Sequence, residues 1–303
     1  MFNFEFTEGR IEKDFLNTWE HENKVFVPTR ATEAVEKMIE TKRYVIVTGH
    51  SGSGKSATIQ HIALKYRENG WVVKPVETID QIIQAYKSNE FEENMTLFVI
   101  NDPIGNEVFE DNLHRQWESY EKTIILFLKK VKFLISCRKQ ILYDHRTSSI
   151  FAETRNIIQI DDDQHKLNPN EKRQIFENHV PSDNFSRDQM EKILEVDTYF
   201  PLLCKLSAQI KDKSFKKLKR NFKNPDKIIS KEIKKYKQHD KQKYCALVCL
   251  FFFKNKLSES DLQKEENNTL FNKCLKLCGI TEITPPDIIR SLKTLEGFFV
   301  KRI

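Results

Sequence analysis

Apolar positions along the first half of the chain follow two rhythms. Unbroken runs occur at YVIVTG (44–49), WVVKPV (71–76), TLFVI (96–100), KFLISC (132–137) and IIQI (157–160). Such runs suit strands covered on both faces. Between them the spacing is helical. Ala31, Val35, Met38 and Ile39 form a stripe behind a capping Thr29, Ile59, Ile62, Ala63 and Tyr66 form another, and Ile79, Ile82, Ile83 and Tyr86 a third. A longer helical region is expected over roughly 110–130. Strands alternating with helices argue for βα units, and right-handed crossovers place helices on both faces of a parallel sheet. The expected fold is doubly wound α/β.

After Asp163 the pattern turns helical. Asn168-Pro169-Asn170-Glu171 combines an N-cap, a first-position proline and a capping-box glutamate. Further helices are expected over 186–195, from Pro201, after Pro225, through YCALVCLFFF (244–253), after Ser258 and from Pro285-Pro286. The closing GFFVKRI reads as a glycine turn into a strand. Helices followed by such a wing predict a winged-helix unit, so the chain divides into a lead segment (1–24), an α/β domain (25–165), a helical lid (166–240) and a winged-helix-like domain (241–303). A last strand still apolar where the sequence stops points to a segment of a longer protein.

Composition narrows the class. The 303 residues are 39% hydrophobic and 31% charged, as in ordinary globular proteins. No apolar run is long enough for a transmembrane helix, and MFNFEFTEGR lacks a secretory n- and h-region. The 6 cysteines lack a disulfide framework's spacing, so a reducing, cytoplasmic setting is expected, with no membrane partner. Net charge is +6, yet 211–243 alone holds 14 basic and 4 acidic residues, a local +10 that leaves −4 for the rest. A nucleic-acid partner for this stretch is the minor reading, because aromatic stacking platforms are missing from it. A solvated helix and linker is favoured.

The chemistry lies between the first strand and its helix. Gly49-His50-Ser51-Gly52-Ser53-Gly54-Lys55-Ser56 satisfies G-x-x-x-x-G-K-[ST] without a mismatch, and Ala57 follows inside the helix. The glycines let successive N–H groups turn inward as an anion nest, and the helix adds its positive end. In this motif Lys55 reaches the β- and γ-phosphates and Ser56 offers a hydroxyl to Mg²⁺. Asn101-Asp102 closes the strand TLFVI, at the carboxyl edge where ligands of open α/β sheets sit. Asp102 is the candidate Mg²⁺ ligand and water-orienting base. Asn101 lacks the second charge expected of a hydrolase. Arg138, directly after FLISC, is the candidate γ-phosphate contact. No Asn-Lys pair continues to x-Asp, so ATP/ADP is favoured over guanine nucleotides.

These pieces in this order resemble the STAND NTPases, most closely the class called novel STAND NTPase 3. The resemblance spans roughly 24–303 and is carried by VFVPTRATEAVEKMI, VIVTGHSGSGKSA, LFVINDPIGN, KFLISCRKQI, YFPLLCKLSA and YCALVCLFFFKNKLSE. It implies an ATP/ADP switch with Mg²⁺, in which core, lid and winged helix close over ADP and open with ATP to expose surfaces for homo-oligomerisation or other protein partners. It also implies that Val27 and Arg30 line an adenine pocket and that Pro201 is the lid proline touching the base. Two positions depart from the pattern: Asn101 replaces an acidic Mg²⁺ ligand, and Phe200 replaces a small residue before the proline.

Competing chemistries are weaker. Cys245-x₃-Cys249 and Cys274-x₃-Cys278 are one helical turn apart among Leu, Val and Phe, which favours core cysteines over zinc. No nucleophile elbow supports a Ser/His/Asp hydrolase. His50 is expected to face solvent. Three functions remain: a slow ATPase switch in an immune- or cell-death-type signalling protein, a non-hydrolysing nucleotide-gated scaffold, and a nucleic-acid-binding ATPase using 211–243.

Overall fold

The computed structural model describes residues 10–105, 108–180, 185–208, 214–223, 233–234, 236–253, 257, 259–280 and 282–294. Five strands, β1 (Tyr44–Gly49), β2 (Val72–Val76), β3 (Thr96–Asn101), β4 (Lys132–Arg138) and β5 (Ile157–Gln159), form one sheet in the order β2-β3-β4-β1-β5, every pair parallel. All five apolar runs read from the sequence are strands.

The period-two alternation of a strand explains why these runs are apolar throughout. Val45 and Val47 of β1, Leu97 and Val99 of β3 and Leu134 of β4 enter one core. Ile46, Phe98, Ile100, Phe133 and Ile135 enter the opposite one. The first core is covered by α1 (Arg10–Asn23), α2 (Arg30–Thr41) and α3 (Lys55–Glu68), which contribute Leu16 and Trp19, Val35 and Ile39, and Ile59 and Ile62. The second is covered by α4 (Ile79–Lys87), α5 (Asp111–Ser119) and α6 (Glu121–Phe127) through Ile82, Trp117 and Phe127. The region expected as one helix over 110–130 breaks at Tyr120, which caps α5 and opens α6.

Local capping fixes where helices begin. Thr29 and Thr32 form a reciprocal box at the start of α2. Asn168 accepts from Asn170 and Glu171 at the start of α8 (Pro169–His179), while Glu171 returns to the Asn168 N–H. A short α7 (Lys139–Leu142) follows β4 directly.

Beyond the sheet, α8, α9 (Arg187–Leu194), α10 (Phe200–Ala208) and α11 (Phe215–Lys223) gather round Phe176, Ile193, Phe200, Leu218 and Phe222. The basic stretch is therefore more than a solvated face. Leu218 and Phe222, one turn apart, are buried and hold α11 to the rest of this cluster while Lys216 and Lys223 are exposed.

A last cluster joins α12 (Lys241–Phe252), α13 (Glu259–Gln263), α14 (Asn268–Cys278) and α15 (Pro285–Thr294), and α15 packs on α7. The helix start expected after Pro225, the Ser258 cap and the closing GFFVKRI strand lie outside the described residues. Among the described residues no helix is long and apolar enough to cross a membrane.

The helix α1 is among the described helices that the apolar pattern did not announce. Leu16 is fully buried, and α1 packs on α3 and β2. Leu16→Ala is expected to cost about 2–5 kcal/mol of stability. Urea denaturation checks this; an unchanged midpoint would mean that α1 is only an appendage.

Candidate nucleotide site

The sheet order gathers the predicted residues at one edge. β1 lies between β4 and β5, so Gly49 pairs in register with Arg138 on one side. On the other side, the Ile160 N–H donates to the Thr48 carbonyl at 2.9 Å, which brings Asp161 beside the loop. One strand farther, Asn101 pairs with Ser136, and the Asp102 N–H donates to the Ser136 carbonyl at 2.8 Å. Asp102 has a left-handed φ of 48°, a conformation that Asp tolerates better than most residues. It begins a turn closed by Gly105 N–H to the Asp102 carbonyl at 3.2 Å. The turn that Asp102-Pro103 suggested is present.

The loop winds round a single carbonyl. The His50 oxygen accepts from Lys55 Nζ at 2.7 Å and Ser53 Oγ at 2.8 Å. Gly54 then turns the chain into α3 with a φ of 100°, which a side-chain-bearing residue would adopt only under strain. Ser51, Gly52 and Ser53 are half-buried, Lys55 is buried, and Ser56 and Ala57 are exposed on the first turn of α3.

Asp161 anchors the start of the loop. Its Oδ2 accepts from the His50 N–H at 2.6 Å and also pairs with His50 Nδ1. Burial pushes this carboxyl up, but the hydrogen bonds and charge of His50 outweigh it and hold it below the usual range. The His50 ring thus turns onto Asp161 instead of out to solvent, because a buried carboxylate needs a partner. The sequence reading missed Asp161. A carboxylate directly after the strand that pairs with β1 was its only signal.

A charge cluster results. Burial, the largest influence, pushes the Lys55 ammonium down to about 8; Asp102 and Asp161 act against this and Arg138 reinforces it. Lys55, Asp102, Arg138 and Asp161 therefore share one electrostatic environment.

A family model described as Novel STAND NTPase 3 matches residues 26–182. The chain belongs to that family. In fold, this STAND NTPase is similar to a Walker-type ATPase of Pyrococcus abyssi, at 11% identity over 88% of this chain and 87% of that one, with a TM-score of 0.51. Lower scores relate it to AMPPCP-bound DnaA from Aquifex aeolicus, with 15% identity, 89% of each chain and a TM-score of 0.42. The RuvB Holliday junction branch migration motor of Thermotoga maritima gives 12%, 91% and 87%, and 0.43. No curated protein matches the chain.

In the STAND NTPase the helical cluster sits directly on the phosphate loop. A Cβ on Gly52 would lie 2.9 Å from Leu202 Cβ and 3.3 Å from the Tyr199 ring. A Cβ on Gly54 would lie 4.0 Å from Pro201 Cγ. Pro201 thus neighbours the loop, and Leu202 and Tyr199 are contacts that no local sequence signal announced. Val27 joins the same cluster as Phe176 and Phe200. Arg30 is held by the start of α8: its N–H donates to Glu171 Oε1 at 2.7 Å and Nη2 to the Lys166 carbonyl at 2.6 Å. The segment 27–30 therefore ties the sheet domain to the helical cluster.

Among the described residues, no group of three His, Cys, Asp or Glu side chains is arranged to hold a metal ion alone. One hydroxyl (Ser56) and one carboxylate (Asp102) fit Mg²⁺ that arrives on phosphates, since that ion keeps few protein ligands.

The depressed Lys55 pKa has a stability consequence. Between about 8 and 10.5 the folded chain has lost this proton while the unfolded chain keeps it, so this group makes stability rise with pH across that window. Lys55→Met should therefore be more stable at neutral pH by as much as about 3 kcal/mol, the equivalent of that shift. The gap should close as pH climbs through the window. Denaturation at a series of pH values checks this, and a pH-independent gap would refute the buried-charge account.

Proposed function

We propose that this NTPase is an ATP/ADP-binding signalling switch in which slow, Mg²⁺-dependent hydrolysis controls opening of the lid and assembly into oligomers. It would work in the cytoplasm as a segment of an immune- or cell-death-type signalling protein. The observation that carries this reading is the contact of Tyr199, Pro201 and Leu202 with the phosphate loop. A helix seated on glycines 52 and 54 makes the loop's shape and the lid's position depend on each other. A bound phosphate that rearranges the loop acts on the lid without further machinery.

Each site residue has a role in this proposal. The loop from Gly49 to Ser56 cradles the phosphates with its N–H groups, and Ala57 lies in the helix turn behind them. Lys55 exchanges the His50 carbonyl for phosphate oxygens, which returns to its ammonium the compensation that burial removed. Ser56 and Asp102 would hold Mg²⁺, which supplies charge neutralisation at the phosphates. Asp102 orients water, and Arg138 contacts the γ-phosphate and reports its presence. Val27, Arg30 and Pro201 border the base. The helical residues 166–240 serve as the lid, and 241–303 supply the winged-helix-like part.

One observation favours a second reading, a scaffold that binds without hydrolysing. The Asn101 side chain accepts from Ser136 Oγ at 2.7 Å, so its oxygen is engaged by the sheet and carries no charge for a metal.

Nucleotide released from the purified protein on denaturation distinguishes the two readings. ADP is expected for the switch, and ATP would bring the scaffold forward. Lys55→Ala should lose nucleotide binding, measured by titration with a fluorescent ATP analogue; retained affinity would overturn the site. Asn101→Asp should raise steady-state phosphate release several-fold, and an unaltered or lower rate would count against the role given to Asn101.

A further inference from the structure

The four cysteines of the C-terminal cluster come from two helices. Cys245 and Cys249 are one turn apart on α12, and Cys274 and Cys278 are one turn apart on α14. At that spacing each pair shares one helix face. All four are buried, and all four belong to the same apolar core. The two helices pack on each other.

They run antiparallel at the thiols. Gly279, the residue after α14, lies beside Lys241, the first residue of α12, with a Cβ on the glycine 3.9 Å from Lys241 Nζ. Cys278 therefore sits across from the first turn or so of α12, where Cys245 stands. Cys274, one turn back, falls level with Cys249, one turn on. The thiol contacts agree with this register: Cys245 interacts with Cys249 and Cys278, and Cys249 also with Cys274. No such group of three is arranged to hold a metal among the described residues. Thiol chemistry remains.

We propose that Cys245 and Cys278 form an oxidisable pair, joined by a hydroperoxide into a disulfide that staples α12 to α14. The Cys245 thiolate attacks one peroxide oxygen, the O–O bond breaks, hydroxide leaves and a sulfenic acid forms. Cys278 sulfur then attacks the Cys245 sulfur, the S–O bond breaks, and the Cys278 proton leaves with that oxygen as water. Two thiols are oxidised to one disulfide while one hydrogen peroxide is reduced to two waters.

The environment favours this order of attack. A hydrogen bond donated by Cys249 lowers the Cys245 thiol pKa against burial, with a second from Cys278. Burial raises Cys274, and it pushes Cys278 up to about 12. Cys245, which meets both Cys249 and Cys278, is assigned the attacking role, and Cys278, at the helix end, is the resolving partner. The staple would stiffen the cluster that reaches α7, the element next to Arg138.

The test treats the full folded chain with hydrogen peroxide, alkylates remaining thiols and maps peptides by mass spectrometry. The expected result is a Cys245–Cys278 linked peptide and an intact mass lower by two hydrogens. In Cys278→Ser the linked peptide should be lost, and a dione probe should capture Cys245 as its sulfenic acid. Cys204→Ser, which changes a buried thiol in the other helical cluster, should retain the link. Alkylation of both Cys245 and Cys278 after peroxide treatment would overturn the proposal, as would bridges that form only in urea or that join other pairs.

Discussion

A lysine ammonium withdrawn from water at the carboxyl edge of a parallel sheet organises everything round it. Lys55 can stay there only because neighbouring groups offset the loss of hydration. The strand order supplies them. With β1 between β4 and β5, Asp161 lies beside the loop and Asp102 stands one strand away, while Arg138 acts against them as a second cation. Two acids and two bases thus face each other across a narrow edge.

Much of this was legible along the chain. Strands β1 to β5, the loop, Asp102 and Arg138 all announce themselves through local patterns, since a run, a motif or a strand end lies within a few residues. The capping of α2 and α8 was equally local. Long-range contacts were not legible. Asp161 matters because β5 pairs with β1, and Leu202 because α10 lies on Gly52, and neither fact is written near those residues. The helix α1 was obscured by its charged residues, although Ile11, Phe15 and Trp19 keep helical spacing. The charge of 211–243 likewise masked Leu218 and Phe222, whose one-turn spacing marked a buried face.

Cysteine spacing shows the same limit from the other side. One-turn intervals correctly indicated core positions on helices. Which thiols meet depends on two helices running antiparallel with a particular register, and that is a tertiary fact. The packing of α15 on α7 is another, and it connects the C-terminal helices to the segment that begins at Arg138.

Gly52 carries a consequence for how such chains can be read. Its missing side chain makes room for Leu202 and Tyr199 as well as for a backbone turn. Packing alone therefore suffices to retain this glycine during divergence, even in a descendant that no longer captures nucleotide. Glycines surviving in the loop of a relative would testify to the seat of a helix before they testified to an anion. Lys55, whose ammonium is held by the His50 carbonyl inside the loop, is the position whose loss would record the end of binding.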